Sequence, residues 1–112
     1  MFKISKVTDY KWPVSVHFPV DGGRTEKSTF DCTFKRLSQT RIQEIRTAIE
    51  KSEITDVELA REVMLDWSGV SNEDGDVQFS ESARDEMLDI PMVASAVVMA
   101  LFESISGAKR KN

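Results

Sequence analysis

With 112 residues, 40% of them hydrophobic and 30% charged, the chain has enough apolar surface for one modest core and is expected to form a single domain over 1-112. Its net charge of −4 hides an asymmetry, because residues 1 to 52 carry +4, residues 53 to 106 carry −11 and residues 107 to 112 carry +3. That split is expected to draw the two halves together, or one copy to another, and it offers no basic face large enough to neutralise many phosphates, which argues against a general nucleic-acid binder.

The opening residues, MFKISKV, contain no apolar run of signal-peptide length, so the chain is expected to stay where it is made. Its one cysteine, Cys32, has no internal disulfide partner, which agrees with a reducing cytosol. Residues 1-36 read as a β-hairpin region. Val14, Val16, Phe18 and Val20 alternate with polar neighbours or proline, and so do Phe30, Cys32 and Phe34. Asp21, Gly22 and Gly23 tolerate the positive φ of the bend, with a loop running on toward Lys27. Phe2 and Ile4 are candidates for a short third strand. His17 falls on the polar face with no second histidine to share a metal, and Cys32 lies on the apolar face, where a free thiol behaves as a small hydrophobe.

The region 37-106 turns helical. Over 38 to 52, Ser38 is the expected N-cap, Leu37 and Ile42 form a hydrophobic staple, and Ile42, Ile45 and Ile49 form the buried stripe, with Arg41, Arg46 and Lys51 facing solvent. A second helix is predicted over 55 to 67, with Thr55 and Glu58 as a capping box and Val57, Ala60, Val63, Met64 and Trp67 at helical spacing. In the next stretch, WSGVSNEDGDVQFS, Gly69 is placed to end that helix, Asp74 and Gly75 to form a tight turn, and Val77 and Phe79 to share one face. The stretch partly matches a calcium-binding loop, but the first ligand position is Val70, which has no side-chain oxygen. Ser80 opens a third helix to residue 89.

A fourth helix, over 91 to 106, is the most apolar part of the chain. Between Ile90 and Phe102 it holds 11 apolar residues, and no charge appears before Glu103. A helix apolar on every side must be surrounded, either by its own core or by a partner. Pro91 suits its first turn and Gly107 its end. Val93, Val97, Ala100, Leu101 and Phe102 are the expected central contacts. The segment is too short and too polar to be a comfortable membrane span. The fold class that follows is α+β, an N-terminal hairpin, two- or three-stranded, packed against about four helices.

The order VSVHFPVDGG, FDCTFKRLS opening a helix, WSGVSNEDGDVQFS, a Pro-initiated apolar helix and a basic GAKRKN ending resembles the small tail assembly chaperones of long-tailed bacteriophages and their prophages. The resemblance spans nearly the whole chain and rests on residues with structural roles, Trp67, Gly69, Val70, Asp74, Gly75 and Phe79. It implies a protein of the bacterial host cytoplasm, without enzymatic activity or cofactor. Such a protein binds the tape measure protein during tail tube assembly and is absent from the mature virion. The tail tube protein is a further partner in that setting, and many of these phages make a longer form by frameshifting. The residues themselves agree with a binding protein: they contain no phosphate loop, metal cluster or Ser/His/Asp arrangement, and the acidic pairs, Asp85/Glu86 among them, are expected to be solvated.

Met92, Met99 and Phe102, at spacings of seven and three, are the candidate partner-binding residues, joined by Lys109, Arg110 and Lys111 of the basic tail (107-112). Core packing explains the three apolar residues equally well. Two other classes remain open: a small cytoplasmic adaptor or regulator that self-associates through the Pro91 helix, and an enzyme subunit whose site another chain completes.

Overall fold

The computed structural model describes residues 1–4 and 7–107, and it orders the chain as two long strands, two helices, three short strands and two helices. β1 (Asp9–Val20) and β2 (Arg24–Lys35) form the hairpin, joined by Asp21, Gly22 and Gly23 alone, with both glycines at positive φ. The loop is therefore shorter than the sequence suggested, and Thr25 to Lys27 belong to β2.

The register explains where the prolines lie. Asp9 pairs with Lys35, and the Arg36 N–H donates to the Thr8 carbonyl, so even-numbered β1 residues occupy the hydrogen-bonded positions. Pro13 and Pro19 are odd-numbered, and they turn their donor-less nitrogens away from β2, toward the free edge of the sheet. There they remove two donors that another strand would need. Even-numbered β1 residues from Tyr10 to Val16 face the core, with Phe30, Cys32 and Phe34 of β2 on the same face. His17 lies exposed on the other face.

α1 (Gln39–Glu50) is capped by Ser38, whose hydroxyl accepts from the Arg41 N–H, and α2 (Asp56–Val63) by the complete Thr55/Glu58 capping box. Ile42 and Ile45 are buried as expected, but Ile49, near the end of α1, is 42% exposed. Arg41 does not face away into solvent. Its guanidinium makes a two-pronged contact with the Glu62 carboxylate at 2.7 and 2.6 Å, tying α1 to α2.

α2 ends at Val63, four residues earlier than predicted, and the chain passes directly into β3 (Met64–Ser68), which pairs antiparallel with β2. This is the third strand of the sheet, in the order β1-β2-β3. Phe2 and Ile4 are exposed and take no part in it. A bulge explains the mistaken reading. Thr33 pairs with Asp66 and Phe34 with Met64, so Leu65 is extra, and Met64 and Trp67 both turn inward although they are three apart. Spacing by three along a regular strand would put them on opposite faces, and it imitates a helix.

Gly69, at φ 81°, therefore follows a strand rather than ending a helix, and turns the chain into a small ladder of β4 (Ser71–Asn72) and β5 (Gly75–Asp76). α3 (Glu81–Leu88) is capped by Ser80. α4 (Val93–Ser106) starts two residues later than predicted, at a bend of 104° from α3. Pro91 sits in the turn before it, and Met92, at φ 79°, takes the left-handed N-cap position without a side-chain hydrogen bond.

α4 buries Val93, Ala94, Val97, Ala100 and Leu101, and one core cluster joins it to the sheet and the other three helices. Beside that core, the Tyr10 hydroxyl is 2.7 Å from Ser104 Oγ. Ser104 donates its own proton to the Leu101 carbonyl, so Tyr10 is the donor, and the bond fastens the start of β1 to the end of α4.

Candidate functional site

The residues singled out in WSGVSNEDGDVQFS form a structural unit. Asn72 Oδ1 accepts from the Asp74 N–H at 2.8 Å, closing the turn between β4 and β5, and Val77 N–H donates to the Val70 carbonyl. This folds the ladder back over Trp67. The Trp67 indole donates to the Val77 carbonyl at 2.9 Å and its ring meets Phe79 edge-on at 5.0 Å and Phe30 at 6.4 Å. Trp67 and Phe79 thus clamp the loop to the sheet, with Gly69, Asp74 and Gly75 shaping the path between them. The Asn72–Asp74 turn and the pairing of β4 with β5 make the segment a short hairpin. Among the described residues no group of three or more His, Cys, Asp or Glu side chains is placed to hold a metal ion.

Cys32 lies in the sheet between Trp12 on one side and Trp67 on the other. Burial, reinforced by the nearby Asp66 carboxylate, pushes its thiol up to about 12, so at neutral pH it holds its proton.

The apolar candidates on α4 divide. Met99 is 65% exposed and Met92 49% exposed, while Phe102 is half-buried. Met99 and Phe102 line a shallow depression of about 330 Å³ together with Arg46, Glu103 and Ser106, and the Arg46 guanidinium lies 5.4 Å from the Phe102 ring centre. Met92 is not part of it, since it stands outside the helix at the α3–α4 bend. Lys109, Arg110 and Lys111 lie outside the described residues. The structure therefore unites Met99 with Phe102 and adds Arg46, which the sequence reading left as solvated surface.

A second apolar surface has no counterpart in the sequence reading. Between the inner face of the hairpin and the α3–α4 bend runs a groove of about 450 Å³, floored by Val16, Phe30 and Val93 and walled by Phe18, Met87 and Ile90. Ile90 is 46% exposed. These residues come from segments about seventy positions apart, and no local pattern announces that they meet.

The chain matches no protein-family model, no curated protein and no solved structure.

Proposed function

We propose that the chain is a non-enzymatic tail assembly chaperone of a long-tailed phage or prophage, which binds the tape measure protein in the host cytoplasm and keeps it soluble while the tail tube forms. The observation that supports this reading is Met99. It is a large, flexible apolar side chain left 65% exposed on the helix whose opposite side is the centre of the core. Burying such a residue against a partner is favourable, and the thioether adapts to varied apolar surfaces. Phe102, held by Arg46, gives the same patch a rigid neighbour. A protein that shields apolar stripes of an elongated helical client needs surfaces of this kind and no reactive group.

Co-expression with the tape measure protein from the same phage tests it. The parent chain is expected to keep that client soluble and to be retained with it. Met99→Asp combined with removal of residues 109–112 is expected to lose the client while keeping the parent's circular dichroism spectrum. Undiminished capture by the folded double variant would discard this surface, and no capture by the parent would discard the chaperone reading.

A further inference from the structure

At the open end of the hairpin, three side chains hold one another in series. Ser104 donates to the Leu101 carbonyl and accepts from the Tyr10 hydroxyl at 2.7 Å, so the Tyr10 ring is fixed between β1 and α4. The Arg36 guanidinium lies over that ring, 4.9 Å from its centre, and the Arg36 backbone N–H is bound to the Thr8 carbonyl. Stacking uses the face of a guanidinium and leaves the N–H donors along its edge unspent. Among the described residues the Arg36 guanidinium has no ion-pair or hydrogen-bond partner.

These groups border a cavity of about 430 Å³ between the sheet, the start of α1 and the end of α4. Leu37, Ile42 and Ile105 give it an apolar side, Arg36 and Lys11 give it positive charge, and no acidic residue among those described lines it. Glu103, next to Ser104, lines the Met99 depression instead, and Asp9, two residues before Lys11, stands opposite Lys35 in the register. Trp12 also lines the cavity, and its Nε1–H is buried without an acceptor among the described residues. Such a donor costs free energy until an acceptor is supplied.

We propose that this cavity binds a compact organic acid, with the carboxylate on the free edge of the Arg36 guanidinium and an apolar body against Leu37, Ile42 and Ile105. A guanidinium whose plane is already held loses little freedom on forming a two-pronged bond to a carboxylate, so the site is prepared for that anion. Lys11 adds a second positive charge to the lining. A neutral molecule of the same shape gains the apolar contacts alone, and a small anion without a body gains the charged contact alone. The site is separate from the Met99 depression and stands whatever client that depression takes.

Nuclear magnetic resonance titration of the intact, isotope-labelled chain tests the inference, with hydrocinnamate as the probe and hydrocinnamamide and acetate as controls. Hydrocinnamate is expected to bind at least about tenfold more tightly than either control, and more weakly as salt rises. Its shifts should gather at Leu37, Ile42 and Ile105 and at the Trp12 indole, assigned through Trp12→Phe. The Trp67 indole, already bonded to the Val77 carbonyl, should stay in place. Arg36→Gln should lower the affinity about tenfold, the size expected of a charge-assisted hydrogen bond, while the core resonances of the free variant match the parent. Arg36→Lys, which keeps the charge but not the fork, should recover little of it. Met99→Asp should bind as the parent does, which separates failure here from failure at the α4 surface. Equal binding of the amide, undiminished affinity in Arg36→Gln, or shifts centred on the hairpin groove or on Met99 would overturn the proposal. So would the absence of any binding of hydrocinnamate to the parent.

Discussion

The two tryptophans flank Cys32 in the sheet but differ in how their indoles are satisfied. Trp67 donates to the Val77 carbonyl, whereas the buried Trp12 Nε1 has no acceptor within reach among the described residues. Deleting a partnered donor leaves a carbonyl unsatisfied at a cost of about 1 to 3 kcal/mol, while deleting an unpartnered one removes a penalty. Trp67→Phe should therefore lower the urea midpoint clearly more than Trp12→Phe, although both exchange one large aromatic for another. Equal losses would mean that the Val77 bond contributes nothing net. Cys32 allows a pH test. Its folded-state value is raised from the ordinary 9.0 to about 12, so between those pH values the unfolded chain releases a proton that the folded chain keeps. Stability is then unaffected by this group below about pH 9 and declines as pH rises toward 12. A Cys32→Ala variant should show a shallower decline in thermal melts across that window. The burial of Trp67 and Cys32 was readable in the sequence, because large apolar residues in patterned positions are core by default. The indole partners were not, since they depend on where a loop carbonyl comes to rest.

At the scale of elements, three helix starts were legible, whereas the start of α4 and the end of α2 were not. Ser38, Thr55 and Ser80 cap as their sequence motifs require, because capping is decided within four residues. The end of α2 is decided by pairing with β2, thirty residues away, and the Leu65 bulge conceals the strand behind helical spacing. The Arg41–Glu62 contact likewise needs two helices to be placed side by side. Arg41 holds the Glu62 carboxyl below its ordinary value of 4.5, mainly by hydrogen bonding. The folded state thus gains stability from Glu62 above that pH and loses it as pH falls through the depressed value. Arg41→Gln is expected to cost about 1 kcal/mol at neutral pH, the upper part of the range for a partly exposed pair, and its deficit should shrink in acid melts below about pH 4. A deficit that persists unchanged at pH 3 would assign the loss to packing of the arginine stem. The α3–α4 bend invites a different substitution. Met92 adopts a left-handed conformation that a Cβ disfavours by about 1 kcal/mol, so Met92→Gly should raise the melting temperature slightly although it deletes an apolar side chain. Met92→Ala, which keeps the Cβ, should not.

At the scale of the whole molecule, opposed charge is a minor part of what joins the halves. Among the described residues Arg41–Glu62 is the ion pair that crosses from the basic first segment to the acidic middle one, while Arg61 and Arg84 both reach Asp85 within the latter. Burial accounts for the union. The same cluster takes Val14 and Val16 from β1, Phe30, Cys32 and Phe34 from β2, Met64 and Trp67 from β3, and buried residues from every helix, with Leu101 fully enclosed near its centre. The central place of α4 was visible in its unbroken apolar run, and so was its pairing with a hairpin that has one apolar face. The groove was not, because it is shaped by the way the ribbon and the α3–α4 bend stand apart after the core has formed. A single cluster shared by all the major elements leaves none of them able to melt alone, so unfolding should be one cooperative transition. Leu101→Ala should cost about 2 to 5 kcal/mol, by loss of transfer energy and creation of a cavity. Far-ultraviolet circular dichroism, which follows the helices, and tryptophan fluorescence, which follows the sheet, should shift by the same amount in urea. If the dichroism midpoint moved while the fluorescence midpoint stayed, α4 would be an accessory to an independently stable sheet, and its exposed side around Met99 would be free to detach from the core.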